Sequence, residues 1–141
     1  MNKPSTQTIF KIVLAGAGIA HFIIGLIAVI PGIPKTTLAE IFYKASIVAN
    51  PQMDHIVQMF GAYMLTIGIL AFFAIKDPIK NAAIINGVII LLGIRVAQRV
   101  LFAGEAWDIF RIPAGWYWTQ TIFFAAIAIA LFYLKPKVEA A

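Results

Sequence analysis

Arg95, Gln98 and Arg99 stand together in an otherwise apolar run, Ala82–Phe102. The two arginines are four residues apart, so on a helix they share one face, with Gln98 beside them. Guanidiniums at membrane depth need partners or water, because burying each alone costs of order several kcal/mol. Asp54, His55 and Gln58 in one neighbouring segment, and Thr119 and Gln120 in another, lie at matching depth, with Tyr63 just beneath. Such a set can line a polar pocket suited to an anionic headgroup, a quinone or a carboxylate ligand. It can equally be a structural clamp, with Arg95 paired to Asp54 and Arg99 snorkelling to phosphate. In either case Arg95 lies deeper, so its loss is expected to cost more.

His21 is the second candidate. It sits near the middle of its segment, in Ala17-Gly18-Ile19-Ala20-His21. A small residue four positions before a histidine leaves room for a flat macrocycle, and the imidazole could then ligate a haem iron or a chlorophyll magnesium. The bland alternative is a neutral histidine that hydrogen-bonds between helices. His55, the other histidine, differs in depth by roughly 10–15 Å at the helical rise. The pair is ill-placed for one bis-histidine haem and makes no di-metal site.

The absences narrow the classes. The chain has no cysteine, which excludes disulfide exchange, thiolate metal sites and Fe–S clusters, and with them the four-helix quinone reductases built on a Cys pair. No Asp or Glu lies within the apolar segments, against the usual need of proton-coupled transport. No nucleophile–base pair or glycine-rich phosphate loop is present, so no catalytic residue is assigned and a non-enzyme is expected. The formal charge of +5 is too sparse and too scattered over segment ends for a nucleic-acid surface.

These residues must be positioned by four apolar segments of about 20 residues, Ile9–Ile30, Ile56–Ile75, Ala82–Phe102 and Trp116–Leu134. Each is long enough to cross a ~30 Å hydrocarbon core. Hydrophobic residues make up 62% of the 141, and charged ones 12%, about half the share of a soluble domain. The expectation is a single all-α integral membrane domain over residues 1–141, a bundle of four transmembrane helices. The first segment is too long for the apolar region of a signal peptide and reads as a retained helix.

Local residues set the boundaries. Pro31-Gly32-Ile33-Pro34 ends the first helix. Asp77-Pro78 makes a short turn that renders the second and third helices antiparallel neighbours. Arg111-Ile112-Pro113 leads into the fourth, where Trp116, Tyr117 and Trp118 form an interfacial belt. Leu38, Ile41, Phe42 and Ala45 fall at helical spacing, which predicts a short amphipathic helix over 36–48 lying on the membrane surface. A weaker interfacial piece is read over 105–110.

With four spans both termini share a side with the Lys76–Asn81 turn. That side carries Lys3, Lys11, Lys76, Lys80, Lys135 and Lys137 against Asp77 and Glu139. The opposite loops hold Lys35, Lys44 and Arg111 against Glu40, Asp54, Glu105 and Asp108. The positive-inside rule then puts both termini in the cytoplasm, in a bacterial inner membrane.

Small residues forecast the packing. Gly18 and Gly25, and Gly61 and Gly68, are each seven apart, and Gly93 with Ala97 makes a small-xxx-small pair. All three are expected to mark helix contacts, within the monomer or alternatively at a dimer face, so Gly93→Leu should disrupt the bundle. Phe123, Phe124 and Phe132 are expected to face lipid or a neighbouring protein.

The run Met59-Phe60-Gly61-Ala62-Tyr63-Met64-Leu65, then Gly68, Asp77-Pro78 and Gly93-Ile94-Arg95-Val96-Ala97-Gln98-Arg99 resembles the DoxX-like group of small four-helix membrane proteins. The resemblance covers residues 55–104, and the segment 31–54 has no counterpart in it. It implies the four-helix fold. It also implies varied roles, some members being quinone-linked subunits or partners of other membrane proteins.

Two functional expectations follow. One is a non-catalytic accessory subunit of a larger membrane complex, with lipids and other integral membrane subunits as partners. The other is a membrane binding protein for a lipid, quinone, haem or chlorophyll-type ligand, using the Arg95/Arg99 group or His21. A tetrapyrrole or quinone is the cofactor either would accommodate, and neither requires one.

Overall fold

The computed structural model describes residues 5–136 and, among them, consists of six helices with no strand. Lys3, Lys137 and Glu139, used above for topology, lie outside the described residues. Four helices are long and apolar enough to cross a membrane: α1 Thr6–Val29, α3 Pro51–Lys76, α4 Ala82–Leu101 and α6 Ala114–Leu134. The protein is an integral membrane bundle. Two short helices, α2 Lys35–Tyr43 and α5 Ala103–Asp108, connect the spans at one end.

The caps explain the helix limits. Ser5 Oγ accepts from Thr8 N–H at 3.2 Å and starts α1, a standard use of an N-cap hydroxyl. Asn50 Oδ1 accepts from Gln52 N–H at 2.8 Å and Met53 N–H at 3.1 Å, and Pro51 occupies the first helical position of α3. Proline suits that position because its missing N–H would have no partner there. The α3 start therefore precedes the apolar limit at Ile56 by five residues. Between α3 and α4, Asp77 Oδ1 accepts from Lys80 N–H at 3.0 Å, and Asn81 Nδ2 donates to Asp77 O at 2.9 Å.

The α2 helix is shorter than expected. Lys44 adopts a left-handed conformation (φ 55°), and its N–H closes on Glu40 O at 2.9 Å. That is the geometry in which helices commonly stop. Residues 44–50 are then non-helical, pinned where Ser46 N–H donates to Phe110 O at 2.9 Å. Leu38 and Ala39 are buried and Ile41 is exposed, so part of the apolar face of α2 packs over the bundle.

Glycine sets the tightest helix pair. The spans α1 and α3 run antiparallel along most of their length, with Gly18 facing Gly68 and Gly25 facing Gly61. A methyl on Gly25 would stand 2.8 Å from Leu65 Cα, and one on Gly68 would stand 2.6 Å from Phe22 N. Only a hydrogen fits, which is how small residues let helix backbones meet in lipid. The third expected contact is absent. Gly93 and Ala97 are exposed, and nothing lies within 4 Å of where a Gly93 methyl would be. The small-residue pair on α4 faces the surroundings, because α4 turns its other side to α6.

The bundle is solid at one end only. Phe10, Leu14, Ala71, Ala74, Ile85, Val88, Leu92 and Leu131 form its core. They come from the halves of the four spans remote from α2. Towards α2 the spans pair off, α1 with α3 and α4 with α6, while α3 and α4 touch little despite their short turn. That divergence creates the site.

Candidate ligand cavity

A cavity of about 810 Å³ occupies the α2 end, within the roughly 300–1,000 Å³ of small-molecule sites. Its walls are α3 and α4, its back is His21, Ile24 and Ala28 of α1, and its roof is α2 with Ala45 and Ile47. From Met53 to Ile67 of α3 it runs about 21 Å along the helix axis. Phe60 and Tyr63 on α3 and Ile94 on α4 line it and are also 65%, 64% and 63% exposed. The mouth therefore opens sideways between α3 and α4, at the surface that faces lipid. The wall is mostly apolar, and its polar members are His21, Lys35, Tyr43, Tyr63, Arg95, Gln98 and Arg99.

The two arginines have different tasks. Arg99 is 8% exposed and is bound to α6. Its Nε donates to Thr121 Oγ1 at 2.8 Å, and its Nη2 to Tyr117 O at 2.8 Å and Gln120 Oε1 at 3.3 Å. The guanidinium also lies 3.9 Å from the centre of the Tyr117 ring, whose hydroxyl returns a 2.6 Å bond to Arg99 O. Stacking on an aromatic face adds electrostatic attraction to these bonds. Arg99 is thus the α4–α6 clamp and does not snorkel.

Arg95, one turn away, is only half-buried. Its Nη2 donates to Tyr43 OH of α2 at 2.7 Å, and its guanidinium sits 4.3 Å from the Phe124 ring centre. The expected Arg95–Asp54 pair is not formed; Tyr43 and Phe124 take its place. Burial within the protein is the reverse of that expected: Arg99 is buried against Tyr117 and Thr121 of α6, while Arg95 is half-buried.

Of the residues named from sequence, Arg95, Gln98, Arg99, Tyr63 and His21 reach the cavity wall. Asp54 and Gln58 are half-buried and His55 is exposed, and none of the three lines the cavity. Gln120 lies outside it too, joining α6 to the roof by donating from Nε2 to Phe42 O at 2.5 Å. Thr119 is exposed and donates to Gly115 O within its own helix at 2.8 Å. Tyr117 is buried, not part of the interfacial belt, which keeps Trp116 and Trp118. Likewise Phe124 lies under Arg95, while Phe123 and Phe132 are exposed.

His21 is 6% exposed, and its ring nitrogens are differentiated. Nδ1 lies 2.8 Å from Ala17 O and donates to it, so Nε2 carries the lone pair and has no hydrogen-bond partner. Neighbouring Gly18 packs against α3, where a methyl would stand 2.9 Å from Ala71 Cβ.

Sequence reasoning missed Lys35, Tyr43, Thr121 and the inward role of Tyr117. The spacing of Tyr117 and Thr121, four residues apart on one helix face, is the signal that was available. Lys35 was visible only as a loop charge. It is 3% exposed, and its Nζ donates to Ile30 O at 2.8 Å. No group of three or more His, Cys, Asp or Glu able to hold a metal occurs among the described residues.

No family model, curated protein or solved structure matches this chain.

Proposed function

We propose that this protein is a membrane binding protein that takes an amphiphilic ligand from the bilayer through the gap between α3 and α4. The observation that carries this reading is the cavity of about 810 Å³, apolar over most of its wall and open sideways to the lipid-facing surface. Lipids enter such a site without crossing water. Arg95, Gln98 and Tyr43 stand at the α2 end of the cavity, where a polar head would rest. The DoxX-like resemblance falls on α3 and α4, the two walls of the mouth.

The accessory-subunit reading rests on the exposed apolar row of α6, including Ile122, Phe123, Ile129 and Phe132. Lipid satisfies that row equally well, and the cavity supports the binding reading. The reading asks for no bond-making step. Its setting is a bacterial inner membrane with both termini cytoplasmic, supported by Lys76, Lys80 and Lys135 at one end against Glu40, Asp54, Glu105 and Asp108 at the other.

The test is purification from native membranes in mild detergent, with intact-mass, lipid and absorption analysis of one peak. A stoichiometric amphiphile on the isolated chain supports the proposal. Stoichiometric partner subunits with no bound amphiphile overturn it in favour of the accessory role. Tetrapyrrole bands would replace the amphiphile with a pigment and direct attention to His21.

A further inference from the structure

We infer that the ligand of this cavity is a single-chain amphiphile with an anionic oxygen head, drawn by the cationic side chains Lys35 and Arg95 of the wall beneath α2. The inference rests on the binding reading above and specifies its chemistry. The cavity wall contains three cationic side chains, Lys35, Arg95 and Arg99, and no Asp or Glu. Arg99 is engaged by α6 through three hydrogen bonds and a stacked ring. The other two retain donors.

A guanidinium has five N–H donors and an ammonium three. In the described residues Arg95 uses one on Tyr43 OH, and Lys35 uses one on Ile30 O. Neither of these acceptors carries a formal charge. Lys35 is also badly placed electrostatically, being the first residue of α2 and 97% removed from the surroundings by its 3% exposure. The helix dipole puts partial positive charge at that end, which disfavours a cation. Ile30 O, at the C-terminal end of α1, offsets part of this. An anionic head in the cavity would offset the rest, and the same wall repels a cationic head.

The tail follows from the wall. Beside the cations the wall is apolar, with Phe60, Met64 and Ile67, and the mouth between Phe60, Tyr63 and Ile94 opens to the lipid-facing surface, so an acyl chain can run from the head into the bilayer. A carboxylate and a phosphate monoester share the required chemistry, the first being a free fatty acid and the second a lipid-type headgroup.

The experiment is calorimetric titration of the purified full chain in a neutral detergent at pH 8. The probes are palmitate, hexadecyl phosphate and the uncharged methyl palmitate. At least one anion is expected to bind about tenfold or more tighter than the ester, the ratio for a modest charge-assisted bond. Arg95→Gln and Lys35→Gln should each remove most of that ratio while leaving the ester's affinity in place. Preference for palmitate identifies a free acid, and preference for hexadecyl phosphate a phosphorylated lipid. Equal or tighter binding of the ester overturns the anionic head and leaves the binding reading standing. Failure of all three to bind overturns both. If Lys35→Gln does not fold, the ratio on the unaltered chain and on Arg95→Gln still decides.

Discussion

Gly25→Ala and Gly93→Ala are the same chemical change, and the structure assigns them opposite signs. On α1 the new methyl would lie 2.8 Å from both Leu65 Cα and Gly61 O. Both are backbone atoms of α3, so no side chain can rotate out of the way. Overpacking of this kind costs about 1–3 kcal/mol. Replacing a mid-helix glycine returns about 0.5–1 kcal/mol of backbone entropy. The net expectation is therefore a loss of about 1–2 kcal/mol. On α4 the Gly93 methyl meets nothing within 4 Å, so only the entropic gain of about 0.5–1 kcal/mol remains. Unfolding in mixed micelles by titration with a denaturing detergent, followed by circular dichroism, should separate the variants by about 2–3 kcal/mol. Equal stabilities, or a less stable Gly93→Ala, would refute the antiparallel α1–α3 glycine seam. The second result would also mean that the Gly93 face of α4 is packed.

Four further outcomes are expected. Arg99→Ala should lower stability by about 1–2 kcal/mol in the same unfolding assay, from three interhelical hydrogen bonds in a membrane bundle. Arg95→Ala should cost under ~1 kcal/mol, having one such bond, and should act on ligand affinity instead. Tyr117→Phe keeps the ring over Arg99 but removes the 2.6 Å bond to Arg99 O, so a loss of about 0.5–1.5 kcal/mol is expected on detergent titration. Asn50→Ala removes the cap of α3 and should cost about 1 kcal/mol, with faster amide exchange at Gln52 and Met53 as its local signature.

The spans were legible because hydropathy and length are summed over twenty residues, and single exceptions do not matter. Their ends were less so. The apolar limit at Ile56 hides the first turn of α3, since Gln52, Asp54 and His55 are polar, although Asn50-Pro51 is itself a start signal. Nothing in the residue type of Lys44 announces a left-handed turn, so α2 was read past its end. Glycine spacing located the α1–α3 seam but misassigned Gly93 and Ala97. A small-residue pair states that close approach is allowed and not that a partner is there. For the site, the polarity of Arg95, Gln98 and Arg99 was readable, but their partners were not. Tyr43 is 52 residues from Arg95, and Thr121 is 22 from Arg99. Neighbours on one helix face can still diverge to different helices. The cavity itself is a place where packing fails, and no single residue encodes it.

That failure of packing is confined to one end, and the hollow of about 810 Å³ is open at the side between α3 and α4. An open hollow is filled by whatever surrounds it. Water is a poor occupant, because it needs two to four polar partners per molecule and the wall below Arg95 offers few. On the binding function proposed above, an acyl chain would enter from the bilayer through the lateral mouth and leave the same way. The tight Asp77–Asn81 turn holds α3 and α4 together at the far end, while Tyr43 and Gln120 tie the roof to α4 and α6. The hollow is held open by these bonds and not by its contents, so its occupant can exchange without the bundle coming apart. Arg95 belongs to both systems, since it ties α4 to the roof through Tyr43 and faces the cavity. A ligand head that drew its guanidinium off Tyr43 would loosen the roof as it bound, and Tyr43→Phe should then raise the exchange rate of a bound spin-labelled acyl chain without lowering bundle stability by more than ~1 kcal/mol. An unchanged rate would separate the roof from ligand entry and leave the lateral mouth as the single route.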